Sequence, residues 1–160
     1  MTTLLLLAAA AQADWVLTVD GLGPVKIGMT RAQVARELHA QLRGEAIESV
    51  DQCVEQGTRG LPGVTFMFED KKLGRISIHK PSRITTPRGI GVGATAAQIK
   101  RAYGPRLKAE WHHYVGAPAQ YLTYWTKPQT RGVRFETGTD RRAEIIHAGG
   151  PSINYIEGCA

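Results

Sequence analysis

Two similar stretches of sequence decide the fold: KIGMTRAQVAREL at residues 26–38 and GVGATAAQIKRAYG at residues 91–104. When Gly28 is aligned with Gly93, five identities result: Gly28, Thr30, Ala32, Gln33 and Arg36 match Gly93, Thr95, Ala97, Gln98 and Arg101. Strand-like sequence follows each stretch. We therefore predict that the chain contains two tandem copies of one structural unit.

Both stretches have the pattern of a helix start. Thr30 with Gln33, and Thr95 with Gln98, form T-x-x-Q capping boxes. In such a box the threonine hydroxyl accepts a hydrogen bond from the first helical turn, and the glutamine side chain accepts one from the N–H of the cap residue. Two positions before each cap stands a glycine, which tolerates the positive φ of a sharp turn: Gly28 and Gly93.

Apolar residues recur at helical spacing behind each cap, as expected for helices that lie on a sheet. These residues are Val34, Leu38 and Leu42 in the first copy, and Ile99, Ala102 and Tyr103 in the second. We expect helices over residues 30–42 and 95–103. Gly44 is expected to end the first helix, and Gly104-Pro105 the second.

Alternating apolar residues predict one β-hairpin in each copy. The first strands are GVTFMFE at 63–69 and GVRFE at 132–136, each followed by a charged turn and a return strand. Further strands are expected at 47–55, 108–115, 119–126 and 152–157. The predicted fold class is α+β, with two tandem copies of a short capped helix packed on an antiparallel sheet of about eight strands in all. The copies would span residues 14–80 and 90–160, joined by a linker at 81–89.

The amino terminus has the pattern of a signal peptide. Residues 4–11 read LLLLAAAA, and the small-x-small sequence Ala11-Gln12-Ala13 follows. We expect residues 1–13 to be cleaved and the mature protein to be soluble in the periplasm or outside the cell. The start lacks the usual Lys or Arg, so a buried N-terminal helix is the alternative. The apolar run is too short to span a bilayer.

The two cysteines, Cys53 and Cys159, are expected to form a disulfide, because export leads to an oxidising compartment. Two buried thiols are the alternative. Neither cysteine belongs to a CxxC pair, which argues against thioredoxin-like redox chemistry and a cysteine-rich metal site.

The chain is basic, with a formal net charge of +6 and a pI near 9.6. A protein of this charge is attracted to acidic surfaces. We expect the partner to be an acidic envelope or extracellular protein, or else an anionic lipid or glycan. Nucleic acid, the other common partner of basic chains, is not expected for an exported protein.

The pattern G-M-T-x-x-Q-V before a short helix and a meander resembles the BamE-like outer-membrane assembly lipoproteins and the β-lactamase inhibitory proteins. The second family implies a tandem helix-and-sheet unit whose concave, aromatic-rich sheet face binds a protein partner. The chain departs from both families. It lacks the lipidated cysteine of the lipoproteins, and its one possible disulfide joins the copies instead of lying within each. Inhibition of β-lactamase therefore does not carry over.

No common catalytic signature is present in the sequence: G-x-S-x-G, H-E-x-x-H and the P-loop are all missing. Adjacent His112 and His113 would point to opposite faces of a strand, which disfavours a shared metal. His79 and His147 follow the two hairpins at nearly equivalent positions, where a surface or interface role is more common. We therefore expect no enzyme activity, cofactor or metal site.

An aromatic cluster is the best candidate for a binding surface, because tyrosine and tryptophan are large, stiff and amphipathic. The cluster lies on the predicted strands 108–115 and 119–126, with arginines on the neighbouring strand adding positive charge at its rim. The candidate residues are Trp111, His113, Tyr121, Trp125, Arg131 and Arg134. Alternatively, some of these side chains belong to the core, since one face of each strand must be buried.

The expected function is that of an exported, non-catalytic binding protein of the cell envelope, either inhibitor-like or an accessory protein, that docks a protein on an aromatic sheet face. The alternative is a binder of anionic envelope lipid or glycan phosphate through basic residues. A small hydrolase with an unrecognised site is the third possibility.

Overall fold

The computed structural model describes residues 15–44 and 53–159, so the predicted signal peptide lies outside it. Its α-helices are α1 (Arg31–Glu37) and α2 (Ala96–Tyr103), and two 3-10 helices span Gly104–Arg106 and Pro151–Asn154. A small sheet consists of β1 (Leu17–Thr18), β2 (Gly21–Leu22) and β3 (Val25–Lys26). The large sheet consists of β4 (Cys53–Gly57), β5 (Val64–Glu69), β6 (Lys72–His79), β7 (Lys108–Trp111), β8 (Gln120–Trp125), β9 (Gly132–Thr137) and β10 (Ala143–Gly149). No helix of this described part is long and apolar enough to cross a membrane.

The large sheet is antiparallel throughout, with the strand order β4-β5-β6-β10-β9-β8-β7. It is continuous across the two predicted copies. Its central pair joins β6 from the first half to β10 from the second, with Ile78 opposite Ile146 and Ser77 opposite His147. The expected combination of capped helices and an antiparallel sheet is therefore confirmed.

Both predicted capping boxes are present. The backbone N–H of Gln33 donates to Thr30 Oγ1 at 3.2 Å, and the backbone N–H of Thr30 donates to Gln33 Oε1 at 2.8 Å. The box at Thr95 and Gln98 has the same two bonds at the same two distances. Each helix therefore begins at its threonine, as the sequence predicts.

The turn before each cap is hydrogen-bonded to the return strand of its own hairpin. Gly28, with φ of +91°, donates to the Leu73 carbonyl at 2.7 Å, and Leu73 donates back to Met29 at 2.8 Å. The second half repeats both bonds at 2.8 Å, between Gly93, Ala94 and Ala143. These bonds fix where each helix lies on the sheet.

The helices bury one face of the large sheet. Val34 of α1 and Ile99 of α2 are fully buried in the core, and burying each such side chain stabilises the fold by about 1.5–3 kcal/mol. The sheet contributes Phe66, Phe68, Ile76, Ile78, Leu122, Phe135 and Ile146 to the same core. The small sheet adds Leu17, Leu22 and Val25.

The first helix is shorter than predicted. It ends at Glu37, with Leu38 as its C-cap, instead of continuing to residue 42. His39 follows with φ of +48°, a left-handed conformation that cannot continue a right-handed helix. The predicted end at Gly44 is therefore wrong, whereas the predicted end of the second helix at Gly104 is confirmed.

The strand predictions fail mainly near the chain ends. The described residues form ten strands, not about eight, because β1–β3 have two residues each and are too short to show a periodic pattern. The strand predicted at 152–157 is wrong, since Pro151–Asn154 form a 3-10 helix. The strand predicted at 108–115 stops at Trp111, where the chain turns. Of the strand predicted at 47–55, residues 47–52 lie outside the described residues.

Removing either capping hydroxyl should destabilise the protein. We expect Thr30→Ala and Thr95→Ala each to lower the free energy of unfolding by about 1 kcal/mol, because a first-turn N–H loses its partner. Urea unfolding measures the loss. Thr30→Ser and Thr95→Ser keep the hydroxyl and serve as matched controls. Wild-type stability in both alanine variants would contradict the capping role.

Candidate functional site

The face of the large sheet opposite the α-helices, here called the open face, carries mostly polar and charged side chains. Side chains alternate along a strand, so the positions between core residues point to this face. They include Glu55, Met67, Arg75, Ser77, His147, Glu136, Arg134, Tyr121 and Trp125. Within residues 15–44 and 53–159, no α-helix packs on this face.

A C-terminal strap, residues 151–159, crosses the open face. Its end is joined to β4 by the disulfide Cys53–Cys159, which confirms the predicted pairing. The bridge closes a loop with a sequence separation of 106 residues. Chain-entropy arguments give such a loop at most about 4–5 kcal/mol of stabilisation, and disulfides typically contribute about 2–4 kcal/mol.

The middle of the strap is anchored by hydrogen bonds and packing. Arg75 Nη1 donates to the carbonyl oxygens of Ser152 and Tyr155, both at 3.1 Å. Ile153 is fully buried and sits over Gly132, where an added Cβ would lie 2.9 Å from the Ile153 Cδ1 atom. The strap therefore has a defined position on the sheet.

Four open-face side chains form a hydrogen-bonded chain, here called the polar relay: Ser77, His147, Glu136 and His112. Ser77 Oγ lies 2.7 Å from His147 Nδ1, and His147 Nε2 lies 3.4 Å from Glu136 Oε2. The other carboxylate oxygen, Glu136 Oε1, lies 2.8 Å from His112 Nε2. Ser77 and His147 are buried, and Glu136 is half-buried.

Burial and hydrogen bonding shift two pKa values in the relay. Burial lowers the pKa of His147, and the hydrogen bond to Glu136 opposes that shift only in part. Burial alone would raise the pKa of Glu136, but hydrogen bonds from His147 and His112 outweigh it, and the net pKa is lowered. The folded protein therefore favours a neutral His147 beside an ionised Glu136.

Two arginines are buried on the open face. Arg75 Nη2 forms an ion pair with Glu55 at 2.6 Å, while its Nε has no hydrogen-bond partner among the described residues. The Arg134 guanidinium lies 4.0 Å from the centre of the Tyr121 ring and donates to Asn154 Oδ1 of the strap at 2.8 Å. Burial lowers the pKa of both arginines.

The structure brings together three of the six predicted binding residues. Tyr121, Trp125 and Arg134 share the open face, although Tyr121 and Arg134 are themselves buried. Trp125 is half-buried and lines a groove of about 690 Å³ together with Lys108 and Arg134. We call this the Trp125 groove.

The other three predicted residues lie elsewhere. Trp111 pairs with Gln120 and lies on the helix side of the sheet, where its side chain is 62% exposed. His113 follows the end of β7, so the predicted shared strand face for Trp111 and His113 is wrong, but His113 lines a groove beside the strap. Arg131 precedes β9, with its Nε 3.7 Å from Asp20 Oδ1. A binding role for all six residues stays a prediction.

A second groove, of about 630 Å³, lies beside the strap and exposes apolar side chains. Tyr114, Tyr155 and Ile156 line it and are 62%, 45% and 42% exposed. The Tyr114 hydroxyl donates to the Glu157 carboxylate, which links the β7–β8 turn to the strap. We call this the Tyr155 groove, and its other lining groups include Glu69 and Asp70.

Sequence reasoning missed the polar relay and the strap. The sequence analysis considered two relay members, His112 and His147, but nothing in the sequence paired His147 with Ser77. Their contact depends on the β6–β10 register, which joins residues far apart in the chain. Ser77 lies on the return strand β6, in a stretch of sequence that contains no recognised catalytic motif.

Removing the disulfide should release the strap. We expect the Cys53→Ser/Cys159→Ser double variant to lose about 2–4 kcal/mol of unfolding free energy. The Ile153 and Tyr155 amides should then exchange with solvent faster, and by a larger factor than those of β6 and β10, which are affected only through the loss of global stability. Hydrogen exchange measures both sets in one sample. Unchanged protection of the strap amides would show that the Arg75 and Ile153 contacts hold it alone.

Acidification should destabilise the fold through the relay. The pKa of His147 is lowered from its ordinary value of 6.5, so below about pH 6.5 the unfolded chain binds a proton that the folded protein does not. Below about pH 4.5, the ordinary pKa of Glu136, its lowered pKa adds to the loss. Urea unfolding from pH 7.5 to 4 measures the effect. His147→Gln should flatten the slope between pH 6.5 and 4.5, and an unchanged slope would contradict this assignment.

Comparison with known proteins gives no match. No family model matches the chain, and no curated protein or solved structure is significantly similar to it. The functional assignment therefore depends on the geometry of the open face.

Proposed function

We propose that this chain is an exported binding protein of the cell envelope that docks a protein partner on the open face. The partner's apolar side chains would contact the Tyr155 groove, and its acidic side chains would contact the Trp125 groove. The observation that carries this proposal is the group of exposed apolar side chains, Tyr114, Tyr155 and Ile156, around one groove.

The chemistry of these side chains supports protein recognition. Tyrosine and tryptophan provide a large contact area with few rotatable bonds, so they lose little conformational entropy on binding. Tyr155 and Ile156 belong to a strap that is already held by a disulfide, the Arg75 hydrogen bonds and the buried Ile153. A site that is pre-organised in this way avoids much of the ordering cost of association.

Charge divides the open face into two regions. The Tyr155 groove is acidic, with Glu69, Asp70 and Glu157 among its lining residues. The Trp125 groove carries Lys108 and Arg134 against Glu110. An acidic segment of a partner therefore fits the Trp125 groove, and the acidic Tyr155 groove weighs against a partner that is acidic throughout.

We also propose that the two halves are tandem copies of one unit, of the kind found in the BamE-like and β-lactamase inhibitory protein families. Three features support this: matching capping boxes, matching turn hydrogen bonds and matching bulges. Each return strand has a β-bulge near its start, where one residue has no partner on the first strand of its hairpin. This residue is Gly74 in β6 and Glu144 in β10. Export is supported by the disulfide, which persists in oxidising compartments.

One observation favours a second candidate function. On the helix side, Trp111 lines a pocket of about 510 Å³ together with Lys100, Arg141, Arg142 and one acidic residue, Asp140, so the charged residues of its lining are mainly cationic. An exposed indole ring beside three cations suits a phosphorylated glycan or an anionic lipid headgroup. This candidate uses the opposite side of the sheet from the docking proposal, so mutations can separate the two.

Tryptophan substitutions on the two sides of the sheet test the docking proposal. In pull-downs from cell-envelope extract at several hundred millimolar salt, we expect Trp125→Ala to recover the partner at least about tenfold less than wild type, because the large aromatic side chain of the Trp125 groove is lost. Tyr155→Ser changes an exposed residue and should weaken recovery similarly. Quantitative mass spectrometry of the recovered proteins measures both.

Trp111→Ala is the matched control, since it removes the same side chain from the helix side. Wild-type recovery with this variant is expected. Open-face docking is overturned if the partner is recovered equally by wild type, Trp125→Ala, Tyr155→Ser and Trp111→Ala. If Trp111→Ala alone lowers binding to vesicles that contain phosphorylated glycolipid, and this binding disappears at moderate salt, the second candidate is favoured instead.

A further inference from the structure

The polar relay has no part in the docking proposal, although its four groups are arranged for proton transfer. Ser77 and His147 are directly paired across β6 and β10, so their side chains emerge on the same face. Glu136 on the next strand faces the far nitrogen of the His147 ring. The order hydroxyl, imidazole, carboxylate is the order found in serine hydrolase triads.

The hydrogen bonds allow one assignment of the protons. His112 Nδ1 accepts from the backbone amides of Tyr114 and Val115, both at 3.3 Å, so its proton is on Nε2 and is donated to Glu136. The ionised Glu136 accepts, so the proton of His147 is also on Nε2. His147 Nδ1 then has a free lone pair, and Ser77 donates its hydroxyl proton to it at 2.7 Å.

We propose that Ser77 is a nucleophile for acyl transfer, with His147 as its general base and Glu136 as the residue that positions the imidazole. The two ring nitrogens exchange the roles they have in the familiar triad, since Nδ1 faces the hydroxyl and Nε2 faces the carboxylate. The proton logic is unchanged, because one nitrogen accepts while the other donates.

Arg75 provides a group that could stabilise the developing negative charge. It lies two residues before Ser77 on β6 and therefore on the same face. Its buried Nε has no hydrogen-bond partner in the described chain, although the guanidinium is paired through Nη1 and Nη2. The positive charge of this guanidinium, on the same face of the sheet as Ser77, would favour the oxyanion that forms on the attacked carbonyl.

A cavity adjoins these groups. It has a volume of about 260 Å³, and Arg75, Ser77, Glu136 and His147 line it. The strap forms the opposite wall through Tyr155 and Ile156. Pockets for drug-sized ligands have volumes of about 300–1,000 Å³. The cavity therefore fits an ester of a small acyl group.

The chemical steps balance without a cofactor. The Ser77 oxygen attacks the carbonyl carbon of the ester while its proton moves to His147 Nδ1. The bond from this carbon to the leaving oxygen breaks, and the leaving alkoxide takes the proton, which gives an acyl-serine and an alcohol. Water then attacks the acyl-serine with His147 again as base, releases the carboxylic acid and restores Ser77.

A fluorophosphonate probe tests the nucleophile directly, because the serine oxygen bonds to phosphorus and fluoride leaves. We expect wild-type protein to be labelled at Ser77, as located by peptide mass spectrometry, and to hydrolyse p-nitrophenyl acetate. Ser77→Ala should lose both signals. Ser82→Ala removes a serine hydroxyl outside the relay and the cavity, and should behave like wild type. His147→Gln should slow labelling by about a hundredfold or more.

Two substitutions test the positioning role of Glu136: one removes the negative charge at nearly constant size, and the other keeps the charge on a shorter side chain. Glu136→Gln should slow labelling at least about tenfold, whereas Glu136→Asp should recover part of the rate, because it keeps the carboxylate. A purely structural role would give no such recovery at equal thermal stability. Circular dichroism checks that each variant is folded.

If Ser77→Ala does not fold, Ser77→Cys replaces it. Both native cysteines are in the disulfide, so the introduced thiol is the one available for alkylation by iodoacetamide. Alkylation faster than in Ser77→Cys/His147→Gln supports the proposal, and equal rates overturn it. Folded wild-type protein that is not labelled at Ser77, or is labelled equally with His147→Gln, also overturns it.

Discussion

The antiparallel pairing of β6 with β10 is the constraint on which the rest of the structure depends. It joins the two hairpins into one sheet and sets Ile78 opposite Ile146 in the core. A slip of β10 by one residue would move Ile146 to the open face and send His147 into the core, away from Ser77. Burial of the apolar face therefore fixes the position of the polar relay.

The open face buries charge, which is costly unless each group is hydrogen-bonded. The strap supplies part of this compensation: it offers backbone carbonyls to Arg75 and an amide oxygen to Arg134. The Cys53–Cys159 bridge holds the strap in place and so maintains the electrostatics of the sheet face. A link of this kind between a disulfide and a buried polar network fits an oxidising compartment.

The same strap connects the docking proposal to the relay. Tyr155, Ile156 and Glu157 line both the Tyr155 groove and the smaller cavity beside Ser77. A partner seated in the groove would contact one wall of this cavity. Binding and acyl transfer therefore concern neighbouring parts of one surface, although the variants that test them are different.

Part of this structure could be predicted from the sequence alone, because it depends on contacts between residues that are close together in the chain or on residue type. The capping boxes at Thr30 and Thr95, the glycines before them and the two hairpins depend on residues close together in the chain. The disulfide between Cys53 and Cys159 was predicted from residue type and the expected compartment. The end of α1, the strap and the relay depend on contacts between distant residues. Ser77 and His147 carry no mutual signal until the central strands pair, because register is set by the packing of the whole apolar face.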